Sequence, residues 1–310
     1  MNIIFFGSDD FAEAHLKSLF DGGHKVVACV TQPDRPKDRG LKMVVSPIKE
    51  LALAHHIAVL QPASLKENKE IIAELKAFKP DVFIVVSYGQ LLPKEILELP
   101  YFGAFNVHPS LLPKYRGAAP INWALINGET QTGVTVIRLN ISLDAGDIIK
   151  QKAMPIDPED NAVTLREKLI DLGNEQLKET LKAIDDGMVR LTTQDATKAT
   201  KAPKLTKEFG KIDWNSSAVD IHNKVRGLQP WPCAYTYYQE KLFKILTSEV
   251  IPALNPNHKP GEVLEISKNG ILVQTAKEAI LIKSVHLENA NPMDAHSFTV
   301  GHKLQPGFQF

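Results

Sequence analysis

The 310-residue sequence predicts an α/β protein: a Rossmann-like, doubly wound domain followed by a small antiparallel β-barrel of the OB type. Three observations carry this. In the first part, unbroken apolar runs such as NIIFF, VVACV and DVFIVV alternate with helical patterns, as parallel strands covered on both faces require. Near residue 200 the composition turns lysine-rich and poor in apolar residues. Beyond it, strand patterns recur at close spacing with turn residues between them.

The elements follow in order. NIIFF closes at Gly7, and Asp9 or Asp10 can cap a helix whose Phe11, Ala12, Leu16, Leu19 and Phe20 form an apolar stripe ended by Gly22 and Gly23. HKVVACVT is the next strand; PIKELALAHH and ENKEIIAELKAFK are helices around a short IAVL strand, and DVFIVVS is a central strand. GAFNV and TGVTVIRL add two strands, and SLDAGDIIK is a turn entering another. NAVTLREKLIDLGNEQLKETLKAIDDG reads as one long helix stopped at Gly187. Residues 1–197 thus form one domain, 198–211 a basic linker, and 212–310 the barrel domain. In the barrel domain SSAVDIHNKVRGL is a helix, and WPCAYTYYQ, KLFKILTSEVI, GEVLEI, GILVQTA and AILIKSVH are strands, with KNG as a hairpin turn. Trp231 and Pro232 are expected to form a packed lead-in to the barrel rather than a base-stacking platform.

Bulk charge excludes little. Lys plus Arg and Asp plus Glu number 36 each, so a basic surface has to be local. The two cysteines, Cys29 and Cys233, are far apart and in no metal spacing, which points to core packing in a reducing compartment. No run approaches the roughly 18 apolar residues that span a bilayer, and MNIIFFGSDD lacks a basic leader, so a cytoplasmic protein is expected. Gly7 is the one glycine of a G-x-G-x-x-G fingerprint present, which argues against a dinucleotide cofactor, although the Gly7-Ser8-Asp9 turn lies where open α/β sheets bind ligands. TQPDRPKDRGLKMVVSP, from Thr31 to Pro47, is too long and charged for an ordinary connection, and its Arg35, Lys37, Arg39 and Lys42 suit a phosphate-bearing substrate.

The chemistry centres on FNVHPSLLPKYRGAAP. Asn106 and His108 are two apart on a strand and therefore share a face. Pro109 and Pro113 then make a rigid loop. Asp144, in the Gly-containing turn SLDAGDI, is a carboxylate that could orient the imidazole and raise its pKa. An amide and an imidazolium donating to a developing oxyanion, with a carboxylate handling protons, are groups for attack of an amine on a carbonyl. No G-x-S-x-G elbow, H-x-x-x-H or C-x-x-C is present, so direct transfer between two bound substrates, with no metal, is the expected chemistry.

FNVHPSLLPKYRGAAPINWALING together with SLDAGDII resembles the folate-dependent formyltransferase family. TQPDRPKDRG, SYGQLLP, LTKEFGKIDW and RGLQPWPCAY resemble, in order and spacing, the branch of it that acts on charged initiator tRNA, and the likeness runs to the final GHKLQPGFQF. It implies 10-formyltetrahydrofolate as co-substrate and the α-amino group of methionyl initiator tRNA as acceptor. Residue by residue, Asn106, His108 and Asp144 match the catalytic trio, and Ser110, Leu111, Leu112 and Pro113 match the loop that holds tetrahydrofolate. Arg39 and Lys42 fall in the insertion used on the tRNA acceptor end, although Asp38 and Leu41 depart from the common Gly-Arg-Gly-Lys-Lys form. Lys204 and Lys207, with Lys198, Lys201 and Lys211, are expected to contact tRNA phosphates. A monomer is expected. The alternative within the family is an amino-sugar formyltransferase or a formyltetrahydrofolate hydrolase.

Overall fold

The computed structural model describes residues 1–37, 42–252 and 258–310, and of residues 35–37 and 42–44 the backbone alone. Two compact units emerge, each assembled from separate stretches of chain. One comprises residues 1–120, 131–155 and 166–202, the other 121–130, 156–165 and 203–310. The basic stretch 198–211 is therefore divided, with 198–202 in the first unit and 203–211 in the second.

The first unit begins with strand β1 (Ile3–Gly7), helix α1 (Asp10–Asp21) and strand β2 (Val26–Val30). Asp9 caps α1 by accepting from the Ala12 N–H at 3.0 Å, which satisfies one of the donors a helix start leaves open. The long charged connection is not wholly irregular: β3 (Arg35–Lys37) and β4 (Lys42–Val44) pair antiparallel. Then come α2 (Pro47–Ala54), capped by Ser46, and β5 (Ala58–Leu60), α3 (Lys69–Ala77), β6 (Val82–Val86), α4 (Lys94–Leu97) and β7 (Ala104–His108). A two-residue strand β8 (Arg116–Gly117) precedes α5 (Pro120–Ile126), which beyond Pro120 belongs to the second unit. Strands β9 (Gln131–Arg138) and β10 (Ile148–Pro155), the helix α6 (Ala162–Asp185) and the short β11 (Lys201–Ala202), which pairs with β8, follow.

The main sheet has the order β10-β9-β7-β6-β1-β2-β5. Neighbours from β7 to β5 pair in parallel, while β9 and β10 join antiparallel at one edge. Chain order reverses at β1, between β2 and β6, the switch point outside whose carboxyl ends such sheets bind ligands. Alternate residues Ile4 and Phe6, Ala28 and Val30, Phe83 and Val85, and Ala104 line one face and pack on Ile71 and Leu75 of α3 and on Ile96 of α4. The intervening residues Ile3, Phe5, Cys29, Val82 and Ile84 are equally buried, which explains why these strands read as unbroken apolar runs.

The second unit holds α7 (Ala218–Gly227) and strands β12 (Ala234–Tyr238), β13 (Lys241–Ile251), β14 (Val263–Ser267), β15 (Gly270–Gln274) and β16 (Ala279–Leu287). They are ordered β12-β13-β16-β15-β14, all antiparallel, with β17 (Met293–Asp294) on β16 and α8 (Ala295–Gly301) after it. The strand patterns read from sequence correspond to β12 through β16. An aromatic cluster of Tyr238, Phe243, Phe298 and Phe310 fills the interior. Pro232 is buried as expected, but Trp231 is 48% exposed, so the tryptophan does not pack into the barrel. Cys29 and Cys233 are free and buried, and burial pushes the Cys29 thiol up to about 12. No helix among the described residues is long and apolar enough to cross a membrane.

Candidate active site

Strand β7 pairs with β6 on one side and β9 on the other, and its last residues reach the carboxyl edge of the sheet. Asn106 and His108 stand on the face that Ala104 shares with the α3 core, and both are buried. His108 Nε2 lies 2.9 Å from the Tyr115 carbonyl oxygen, and Tyr115 adopts φ +63° to present it. Because a carbonyl only accepts, Nε2 carries the hydrogen and Nδ1 faces the other way.

Nδ1 looks toward Asp144, whose Oδ2 is 3.8 Å away. Here the structure differs from the sequence expectation. The ring is oriented by the Tyr115 carbonyl, and the carboxylate stands beyond hydrogen-bonding distance of it. Asp144 is instead held by the Gly117 N–H, 2.8 Å from Oδ2, while the Asn106 amide nitrogen is 3.5 Å from Oδ1. Asn106, His108 and Asp144 thus converge, with the Asn106 amide keeping capacity to donate to a third group and His108 Nδ1 turned toward the carboxylate.

The loop after β7 is fixed from behind. The Thr135 hydroxyl on β9, directly opposite His108, donates to the Ser110 carbonyl at 2.6 Å and accepts from the Leu112 N–H at 3.1 Å. Gln151 on β10 donates to the Leu112 carbonyl at 2.8 Å. Ser110 is wholly buried, and its hydroxyl turns inward to the Lys114 carbonyl at 2.7 Å. Leu112 is buried as well, whereas Leu111 and Pro113 keep part of their apolar surface accessible. The four loop residues therefore divide into two that brace the loop and two that offer apolar surface. The Gly7-Ser8-Asp9 turn also engages its own neighbours: the Ser8 hydroxyl donates to the Tyr88 carbonyl at 3.2 Å, and Asp9 caps α1.

Sequence reasoning did not single out Tyr115, Gly117, Thr135, Gln151 or Gln194. Thr135 left a trace, as the polar residue within the apolar GVTVI of β9. Gln194 left none; it lies 86 residues beyond His108 in chain numbering, and folding alone brings it near. Of the basic residues, Arg39 lies outside the described residues, and Lys42 begins β4. Lys204 and Lys207 are exposed in the second unit. Among the described residues no group of His, Cys, Asp or Glu is arranged to hold a metal ion.

Known proteins resemble this chain throughout. The family described as Formyl transferase matches residues 1–181, and that described as Formyl transferase, C-terminal domain, matches 204–303. A protein of Caldanaerobacter subterraneus subsp. tengcongensis named methionyl-tRNA formyltransferase is 46% identical over 307 residues, covering 99% of each chain. One of the same name from Desulforamulus reducens is 45% identical over 99% of this chain and 96% of its own. Among solved structures, the sugar 3N-formyl transferase WlaRD, with dTDP and 5-N-formyl-THF, has a TM-score of 0.66 at 20% identity, covering 94% of this chain and 99% of its own. HypX from Aquifex aeolicus, in complex with tetrahydrofolic acid, has a TM-score of 0.64 at 20% identity over 97% of this chain and 47% of its own. With matching models over both parts of the sequence and full-length relatives well above 40% identity, this chain belongs to the formyl transferase family.

Proposed function

We propose that this chain transfers the formyl group of 10-formyltetrahydrofolate to the α-amino group of methionyl initiator tRNA, with Asn106, His108 and Asp144 as its catalytic residues. The observation that carries the reading is the convergence of an amide, an imidazole and a carboxylate at the carboxyl edge of β7, in a chain similar over its whole length to proteins of that activity. Folate would lie against the accessible apolar surface of Leu111 and Pro113, on a loop that Ser110 and Leu112 brace. The apolar edge suits a flat aromatic ligand, and the strapped backbone gives it a preorganised floor.

The folate supplies an activated formyl group; the chain supplies position and charge. The acceptor amine adds as the free base, which is accessible near neutrality because an α-amino group titrates at roughly 7.7–8.0. As negative charge develops on the formyl oxygen, Asn106 donates from its amide, and the protonated form of His108 donates from Nδ1. Asp144, whose Oδ2 is 3.8 Å from that ring nitrogen, takes the proton that the attacking nitrogen sheds, passing it through water to the departing folate nitrogen. Arg39, Lys42, Lys204 and Lys207 contribute phosphate contacts to the tRNA. A cytoplasmic, monomeric enzyme belongs to the same reading.

The test is transfer of label from 10-formyltetrahydrofolate to charged initiator tRNA, with charged elongator tRNA and an amino sugar nucleotide as competing acceptors. Labelled formylmethionyl ester on the initiator alone supports the reading. Label on the sugar, or formate released with no acceptor present, replaces it with one of the other folate reactions.

A further inference from the structure

Asp144 holds an uncommon backbone conformation, φ +49°, which a residue with a Cβ adopts at a cost unless its surroundings impose it. A buried glutamine braces the backbone at this residue and just beyond it. Gln194, buried at 8% exposure, donates both amide hydrogens to the turn that carries Asp144: Nε2 is 2.9 Å from the Asp144 carbonyl and 2.7 Å from the Gly146 carbonyl. Its Oε1 accepts twice from Arg116, at 3.1 Å from Nε and 2.7 Å from Nη2. Carbonyls only accept and a guanidinium only donates, so the amide orientation is fixed and its full capacity of four hydrogen bonds is in use.

The contacts close a ring. Arg116 immediately precedes Gly117, whose N–H holds Oδ2 of the same Asp144 at 2.8 Å. Gln194 thereby ties the backbone of Asp144 to the strand that grips its carboxylate. The segment bearing Gln194 is itself anchored at both ends. Thr192 exchanges two backbone hydrogen bonds of 2.8 Å with Ile148 at the start of β10, and Lys201–Ala202 pair with Arg116–Gly117. In the same segment the Thr200 hydroxyl accepts the Tyr115 N–H at 2.8 Å, and Tyr115 is the residue whose carbonyl orients His108.

We propose that Gln194 is a positioning residue of the active site, setting the place of the Asp144 carboxylate relative to Asn106 and His108. The kinetic part of this inference rests on the formyl-transfer reading; the structural part does not. Removing the amide frees the Asp144 turn to relax from its left-handed conformation and leaves the Arg116 guanidinium without its acceptor. A shift of about 1 Å in a catalytic group can cost on the order of 10²-fold in rate without altering how substrates bind.

The experiment uses the full chain and three variants, Gln194→Ala, Gln194→Glu and Asp144→Ala, with the double variant Gln194→Ala/Asp144→Ala. Gln194→Ala is expected to lower kcat about 10²-fold with KM for both substrates nearly unchanged. Gln194→Glu keeps an acceptor for Arg116 and loses both donors, so it does not recover the rate; wild-type kcat in it overturns the proposal. The double variant is expected to be no slower than Asp144→Ala alone, whereas losses that multiply overturn it. A readout independent of turnover is the amide resonance of Gly117 in protein labelled with 15N at its 18 glycines. Asp144→Ala identifies that resonance, and both Gln194 variants should displace it; if neither does, the proposal fails. Should Gln194→Ala not fold, the near-isosteric Gln194→Glu carries the same comparison. A protein that transfers no formyl group yet shows the Gly117 displacement refutes the functional reading and keeps the positioning one.

Discussion

Replacing Gly117 by Ala attacks the site through one added methyl group. Gly117 has φ +126°, and a Cβ built on it would stand 2.6 Å from the Ala202 carbonyl oxygen and 3.2 Å from the carbonyl carbon. Contacts this close to backbone force β8 and β11 apart, so the Gly117 N–H leaves its place 2.8 Å from Asp144 Oδ2. The conformational strain costs roughly 1–3 kcal/mol. For a chain of this size that lowers the thermal midpoint by roughly 2–5 °C. The displaced carboxylate should lower kcat about 10²-fold while folate affinity, if folate lies as proposed on the loop braced by Thr135 and Gln151, is kept. Single-turnover formyl transfer, equilibrium folate binding and a thermal scan measure the three quantities. Gly187→Ala is the control: its φ of +65° imposes strain, but nothing lies within 4 Å of the added Cβ, so stability should fall with kcat intact. A Gly117→Ala protein with wild-type kcat would refute the reasoning, showing that the β8–β11 pair can open without moving Asp144.

Three further outcomes are expected. Asn106→Ala should slow transfer by about 10²- to 10³-fold through loss of an oxyanion donor. The hydrogen bond from its amide to Asp144 is a long one of 3.5 Å, so stability should change by under about 1 kcal/mol; a wild-type rate with folate binding unchanged would remove Asn106 from the mechanism. His15 is wholly buried, and burial pushes its pKa down to about 4, whereas the unfolded chain titrates near 6.5. The unfolded state therefore binds the extra proton as pH falls from about 6.5 to about 4, and stability falls by on the order of 3 kcal/mol across that window. Urea unfolding of His15→Gln should lack this component, and an identical pH dependence in both proteins would contradict it. Finally, affinity for charged initiator tRNA should fall with salt, and Lys204→Ala and Lys207→Ala should each reduce the slope by about 1; an unchanged slope would place the phosphate contacts elsewhere.

Most of the first unit was legible because its strands are buried on both faces and its helices carry one apolar stripe, patterns that survive in a linear string. The five barrel strands were legible for a related reason, since turns such as Lys268-Asn269-Gly270 punctuate them. What was not legible shares a different cause. Strands of two or three residues have no periodicity of their own: β8 and β11 exist because distant segments of chain pair there, and β3 and β4 because each pairs with the other. Nor could a discontinuous second unit be read from the boundary in composition, because residues 121–130 and 156–165 join it only in three dimensions.

For the site the division is sharper. The sequence by itself determined that Asn106 and His108 share a face, since period two along a strand allows nothing else, and that a rigid loop follows them. The turn SLDAGDI nominated Asp144 as their carboxylate partner, and the resemblance to a family matched the three to its catalytic trio. Only the tertiary structure decided what holds each group. The carbonyl of Tyr115 orients the ring, the N–H of Gly117 grips the carboxylate, and Gln194 clamps the turn behind it. The physical reason is that these bonds run through backbone amides and carbonyls, which every residue carries, and through a glutamine amide whose partners lie 48, 50 and 78 positions away. Side-chain chemistry is written in the sequence, but the hydrogen bonds that aim it are settled when the chain closes on itself.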